Sequence, residues 1–182
     1  MEFVPTSLHD VILIKPLVYQ DERGLFFETY QTEQFREAGI SLPFVQDNHS
    51  SSRQAVLRGL HYQLKQAQGK LVRVIAGEVF DVTVDIRRSS SQFGKWVGVN
   101  LSSNNKLQLW VPPGFAHGFY VLSKWAEVMY KATDYYAPEW ERSLLWNDPE
   151  IGIRWPLING QPPILSKKDA NGSPLLEAEF FD

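Results

Sequence analysis

Phe80, Val82, Val84 and Ile86 alternate with Asp81, Thr83 and Asp85. A period of two predicts a strand over Val79–Ile86 with one apolar and one polar face. The run from Lys70 to Ala76 predicts a second strand, joined to the first at Gly77-Glu78. Upstream, Val11–Ile14 reads as a short strand closed by Lys15-Pro16. Asp21–Gly24 reads as a turn, and Leu25–Tyr30 as a strand by its aromatic and β-branched content. Thr32 is placed to cap a short helix through Phe35 and Ala38, with Gly39 ending it. Phe44–His49 reads as a strand end running into a serine-rich loop, Ser50 to Ser52. In Val56–Gln63, alternation puts Leu57, Gly59, His61 and Gln63 on one face and Val56, Arg58, Leu60 and Tyr62 on the other. Trp96–Leu101, Lys106–Val111, Phe119–Leu122 and Ala126–Thr133 complete the strands, and Ser102–Asn105 forms a hairpin-type turn. Beyond Pro138 prolines break the pattern, leaving only short helical turns, one of them capped by Ser166. Many short strands with few helices predict an all-β jelly-roll barrel, a single domain over residues 1–182.

Bulk composition narrows the function classes. At 43% apolar and 21% charged residues, the chain is of ordinary soluble globular type. A net charge of -3 argues against a general nucleic-acid or membrane-surface role, which needs a basic excess. The chain has no cysteine, which excludes disulfides, thiolate metal sites and cysteine nucleophiles and fits a reducing cytoplasm. The stretch Met1–Pro5 has no basic n-region and no long apolar core, so no signal peptide is expected, and no apolar run reaches transmembrane length.

The candidate chemistry is concentrated in Val56–Gln63 and Pro112–His117. A histidine on the inner face of a sheet is either a satisfied core residue or a working group. Pro112-Pro113-Gly114-Phe115-Ala116-His117 has the form P-x-G-x-x-H, which resembles the second motif of the cupin superfamily. The resemblance implies a double-stranded β-helix barrel with His117 pointing inward. The first cupin motif carries H-x-H followed by a glutamate; here the chain reads His61-Tyr62-Gln63, with Ala67 and Gln68 at the later positions. An amide is a poor transition-metal ligand, so no metal is expected. Inward histidines without a metal suggest acid–base chemistry. His61 suits the base because its ordinary pKa is near neutrality. Tyr130, in phase with Ala126 and Val128, is a candidate acid from the opposite side. Lys70 is a candidate for neutralising an oxyanion, and Asp169 for orienting the imidazole. Taken singly, each has a plainer reading: a core tyrosine, a solvated strand end, a helix cap.

Ten blocks running in order along nearly the whole chain resemble the dTDP-4-dehydrorhamnose 3,5-epimerase family. Among them are Asp21–Gly24, Phe44–Ser50, Leu57–Gln63, Gln68–Arg73, Pro113–Phe119, Asn147–Ile153 and Leu165–Asp169. The resemblance implies a cofactor-free enzyme of dTDP-L-rhamnose synthesis. It would invert C3 and C5 of a dTDP-linked 4-keto-6-deoxyhexose, with His61 as base, Asp169 as its partner, Lys70 stabilising the enolate and Tyr130 as acid. It also implies substrate contacts from Arg23, Arg58 and Lys167 on the nucleotide-sugar and from Glu28, Gln46, Asp47 and Asn48 near base and sugar. Phe26 and Tyr136 would stack on thymine, and His117 and Glu141 would complete the binding set. A homodimer is implied, with Arg23–Glu28 supplied across the interface. Strict alternation sets Arg58 and His61 on opposite faces; either Gly59 marks a bulge that resets the phase or Arg58 reaches over the barrel mouth.

Overall fold

The computed structural model describes residues 1–180. In chain order the strands are β1 (Glu2–Pro5), β2 (Ile12–Lys15), β3 (Tyr19–Asp21), β4 (Gly24–Phe26), β5 (Gln46–Arg53), β6 (Leu57–Gln63) and β7 (Lys70–Ala76). They continue as β8 (Glu78–Asp85), β9 (Trp96–Ser102), β10 (Gln108–Val111), β11 (Phe115–Val121), β12 (Trp125–Ala132) and β13 (Glu141–Ser143). Two short helices, α1 (Thr32–Glu37) and α2 (Lys167–Ala170), complete the set of longer elements. A six-stranded sheet, β1-β2-β10-β7-β12-β5, faces a five-stranded one, β13-β6-β11-β8-β9. Every strand pair in them is antiparallel. This is the all-β jelly-roll barrel expected from the strand spacing, of the cupin type that the Pro112–His117 resemblance implies.

Alternation sorts the side chains into three layers. Val72 and Val74 of β7, Val79 of β8, Phe119 and Val121 of β11, and Ala126 and Val128 of β12 point between the sheets and share one buried cluster. Along the same inward faces the chemistry changes at the other end: Val74 and Val72 give way to Lys70, Val128 to Tyr130, Phe119 to His117, and Val79 to Asp81. One end of the barrel is therefore an apolar plug, and the other is polar. Outside the five-stranded sheet, Val82, Val84, Leu60 and Tyr62 pack against Leu144, Ile151 and Leu175 of the C-terminal segment. Outside the six-stranded sheet, Phe35 of α1 packs with Ile14, Leu71 and Trp110. The wrap by residues beyond β13 makes the five-stranded sheet two-sided, so apolar Val82 and Val84 face outward and the acids face in.

Several local expectations change. Ser50, Ser51 and Ser52 are not a loop but the centre and end of β5, paired in register with Val128, Glu127 and Ala126. The strand read over Leu25–Tyr30 is cut to β4, which pairs only with the exposed β3; residues 27–30 have no strand partner and leave the ladder. The cap of α1 is Gln31, whose side-chain oxygen accepts from Gln34 N–H at 2.7 Å, and Thr32 is the first helical residue. Ser166 caps α2 as predicted, accepting from Asp169 N–H at 3.1 Å.

Candidate active site

The Arg58–His61 conflict is resolved by a bulge. On β11, His117 pairs with His61 and Phe119 with Arg58, so two steps on β11 match three on β6. The extra residue lies in the Gly59-Leu60 stretch and resets the phase. Both Arg58 and His61 then line one cavity, while Leu60 and Tyr62 turn to the outer cluster. Glycine is required here. Gly59 has φ 113°, and a Cβ on it would lie 2.6 Å from both Gly118 Cα and His117 O. A Cβ on Gly118 would lie 2.5 Å from Arg58 O, so the two glycines allow β6 and β11 to touch backbone to backbone.

The cavity, about 210 Å³, is lined by Ser50, Arg58, His61, Lys70, His117, Phe119 and Tyr130 among others. This is below the roughly 300–1,000 Å³ of pockets that enclose a whole drug-sized ligand, and it suits a sugar ring. His61 belongs to the five-stranded sheet, Lys70 and Tyr130 to the six-stranded one, so base and acid candidates stand on opposite walls. Lys70 Nζ lies 6.0 Å from the Tyr130 ring centre.

Each titratable group is tuned by its surroundings. His61 Nε2 lies 2.5 Å from Asp169 Oδ1. Burial lowers the His61 pKa below its ordinary value; the hydrogen bond and charge of Asp169 oppose this, and Lys168 and Lys70 reinforce it. Burial alone would raise Asp169, but hydrogen bonds from His61, Ser166 and the Gly59 N–H hold it lower, as a carboxylate. Burial takes the Lys70 ammonium down to about 8, against the pull of Glu141 and Asp81. Tyr130 is pushed up by burial first and by the Glu141 charge second, so its phenol stays protonated at neutral pH.

The remaining residues singled out in the sequence fall into three groups. Gln46 and Asn48 lie on the inward face of β5 with Ser50, and Gln46 Nε2 donates to Asn48 Oδ1 at 3.0 Å. Asp47 faces the other way and pairs with Lys131 at 3.0 Å, in a separate groove on the outside of the sheet. Glu141, at the start of β13, accepts from the Tyr136 hydroxyl at 2.7 Å, which with the charge raises Tyr136 to about 12. Arg23 and Phe26 sit on the β3–β4 hairpin, which forms its own surface pocket apart from the cavity, and Glu28 lies exposed just beyond it. Arg23 is held by Asp21 at 2.6 Å, and Phe26 is 69% exposed. Lys167 is an exposed residue of α2 whose carbonyl accepts from Asn171 at 2.7 Å.

The sequence reading gave no role to Lys168 or Asp81, and it read Gln63 only as a lost metal ligand. Lys168, next to Lys167, sets its ammonium 2.6 Å from Glu141. Asp81, on the inward face of β8, holds His117 Nε2 with both oxygens at 2.9 Å, each residue being buried. The alternation of β8 shows Asp81 facing away from Val82; its meeting with His117 needs the β8–β11 register. Gln63, at the position where a metal-binding cupin has a histidine, donates to Gln66 O at 2.8 Å and Tyr135 O at 3.2 Å and accepts from Ala137 N–H at 3.0 Å. It therefore fixes the segment that carries Tyr136. Among the described residues no group of three or more His, Asp or Glu side chains comes together as a metal-binding cluster.

A cupin-type barrel whose polar end sets a histidine–aspartate pair opposite a tyrosine, beside a half-buried lysine, is an arrangement fit for an acid–base enzyme of the cupin class. Over residues 5–177 the sequence matches the family model for dTDP-4-dehydrorhamnose 3,5-epimerase. The chain belongs to that family. The Salmonella typhimurium dTDP-4-dehydrorhamnose 3,5-epimerase is 58% identical over 179 residues, 97% of this chain and 96% of that one. The Pseudomonas aeruginosa protein of the same description is 56% identical over 182 residues, 100% of this chain and 99% of that one. The crystal structure of dTDP-6-deoxy-D-glucose-3,5-epimerase from Legionella pneumophila in complex with dTDP-4-keto-L-rhamnose superposes with a TM-score of 0.94 at 53% identity, covering 98% of this chain and 94% of that one.

Proposed function

We propose that the cavity between His61 and Tyr130 inverts C3 and C5 of dTDP-4-dehydro-6-deoxy-D-glucose, giving dTDP-4-dehydro-L-rhamnose for L-rhamnose synthesis. The C4 ketone acidifies the hydrogens on both neighbouring carbons, so no cofactor is called for. His61 takes the proton from carbon, and the C–H electron pair moves through C4 onto the ketone oxygen. Lys70 carries the cation that the enolate oxygen needs; a donor of this kind is worth about 3–4 kcal/mol at the transition state. Tyr130 returns a proton to the other face of the same carbon, and water restores the phenol and the neutral imidazole. C3 and C5 are both bonded to C4, so a C4 oxygen held on Lys70 lets either carbon be presented between the two walls. The placement of base and acid on opposite walls of one sugar-sized cavity is the observation that carries this reading.

The nucleotide would lie outside the cavity, with Arg58 and Lys167 on the diphosphate and Tyr136 on thymine beside Glu141. Gln46 and Asn48 would serve base and sugar, with Asp47, whose side chain faces the other way, contributing at most its backbone, and His117, fixed by Asp81, would serve the hexose. The β3–β4 hairpin supports a homodimer: Tyr19, Leu25 and Phe26 are 60%, 50% and 69% exposed on a ribbon that pairs only with itself. Docked on a second copy, it would deliver Arg23, Phe26 and Glu28 to that copy's nucleotide. A cysteine-free chain fits a cytoplasmic location; among the described residues no helix is long and apolar enough to cross a membrane. Proton NMR of the keto-sugar in deuterated water tests the reaction: deuterium should enter at C3 and C5, and entry at C3 alone would overturn the double inversion.

A further inference from the structure

The inward face of β5 is a row of four polar side chains, Gln46, Asn48, Ser50 and Ser52, in a barrel whose other strands turn apolar along their length. The two ends of the row are satisfied within the protein. Gln46 bonds to Asn48 and accepts from Tyr136 N–H at 3.0 Å, and Ser52 Oγ accepts from Arg58 Nε at 2.9 Å. The middle is not. Among the described residues Ser50 Oγ has no hydrogen-bond partner although it is shielded from bulk water, and Asn48 Nδ2 is in the same condition. Ser50 lines the cavity with His61, Lys70 and Tyr130, and its strand neighbour in register is Val128, which offers no polar group. A buried hydroxyl in a folded protein is normally paired, and one left unpaired on a residue that lines a ligand cavity points to a contact made by the ligand.

We infer that Ser50 is a specificity-determining residue, whose hydroxyl binds the C2 hydroxyl of the hexose. The inference rests on the reaction proposed above. The hexose has two free hydroxyls, at C2 and C3. C3 is inverted during the reaction, so its hydroxyl changes side of the ring. A short side chain fixed on the middle of a strand can hold only a group that keeps its place, and the C2 hydroxyl is that group. Ser50 thereby grips the ring next to the moving carbons without taking part in proton transfer. A site built to bond a substrate hydroxyl disfavours the analogue that lacks it, because the protein partner is left unpaired.

The test is a two-by-two comparison: wild type and Ser50→Ala, each with the dTDP-4-keto-6-deoxyhexose and with its 2-deoxy analogue. The wild type should favour the C2-hydroxylated substrate in kcat/KM by about 10- to 100-fold. Ser50→Ala should lose that factor on the hydroxylated substrate and little on the 2-deoxy one, bringing the ratio close to one. An active variant that keeps the wild-type ratio overturns the inference. So does one that loses the same factor on both substrates, the outcome expected if the hydroxyl merely holds a trapped water or the packing of β5. A wild-type protein that exchanges no proton at C3 or C5 overturns the proposed reaction itself, and the role of Ser50 with it.

Discussion

His61 Nε2 and Asp169 Oδ1 are 2.5 Å apart, and the second oxygen of the same carboxylate accepts from the Ser166 hydroxyl at 2.8 Å. The imidazole is thereby held through one nitrogen, which leaves the other free to take the substrate proton in the proposed reaction. Asp169 sits in the first turn of α2, capped by Ser166, so the helix start fixes the position of this carboxylate. Replacing Asp169 with Asn keeps the shape but removes the charge and the fixed tautomer. We expect kcat to fall by roughly 10²–10⁴, as for a carboxylate supporting a histidine base. The hydrogen bond and charge of Asp169 raise the His61 pKa, so their loss leaves burial unopposed and moves the acid limb of the kcat/KM profile to lower pH. A stopped assay across pH 4–8 measures both; an unchanged limb would separate Asp169 from the base.

The positions of His61 and Tyr130 on opposite walls predict separable defects. His61→Asn should abolish deuterium entry from solvent, lowering turnover by about 10²–10⁴. Tyr130→Phe leaves the base intact: exchange at the carbon next to the ketone should continue while the inverted product falls by a similar factor. NMR follows exchange and stereochemistry in one sample. Inverted product formed by Tyr130→Phe at the wild-type rate would remove the phenol from the acid role.

Sequence periodicity revealed the parts of this fold in which an apolar face meets a polar one. Phe80–Ile86 is legible because Val82 and Val84 have an outer core to enter and Asp81 and Thr83 an interior to line. The Ser166-x-x-Asp169 cap is legible because it is local. The second half of β5 was hidden because its inward face lines the cavity and is itself polar, so Ser50–Ser52 shows no contrast between faces and resembles a loop. Phe27–Tyr30 misled in the opposite sense: strand-forming residues without a neighbouring strand do not make a ladder. The convergence of Arg58 and His61, and of Asp81 and His117, depends on registers between strands about 30 to 60 residues apart along the chain, which no local pattern encodes.

In the proposed reaction Lys70 should set the alkaline limit of the activity. As an enolate-stabilising cation it must be protonated, and burial lowers its pKa to about 8. Activity should therefore fall as pH rises through about 8, well before an ordinary lysine would titrate. His61 must be neutral, and its lowered pKa keeps it so further into the acid range than an ordinary histidine. The two shifts predict a bell with its top between these limits. Lys70→Met should lose roughly 10²–10³ in kcat. Lys70→Arg, whose guanidinium does not titrate in this range, should lose the limb near 8 whatever rate it retains. A wild-type kcat/KM profile that stays flat to pH 10 would show that the lysine charge is not needed.

The contact between Gly59 and Gly118 predicts that the bulge can be broken without touching a catalytic group. An alanine at 59 needs φ near 113°, which a β-carbon disfavours, and puts that carbon 2.6 Å from the backbone of β11. Strain of about 1–3 kcal/mol for the dihedral adds to a similar amount for overpacking. Since 1 kcal/mol moves the Tm of a domain this size by about 2–4 °C, Gly59→Ala should melt some 5–20 °C below the wild type. Any folded fraction must separate β6 from β11, which moves His61 relative to Lys70 and Tyr130 across the cavity. Because a 1 Å misplacement of reacting groups can cost about 10²-fold, kcat should drop more than the folded fraction does. Calorimetry and turnover measured on the same sample check this. A variant that melts within 2 °C of the wild type at full turnover would show that β6 can take another path past β11 and still deliver Arg58 and His61 to the same ligand.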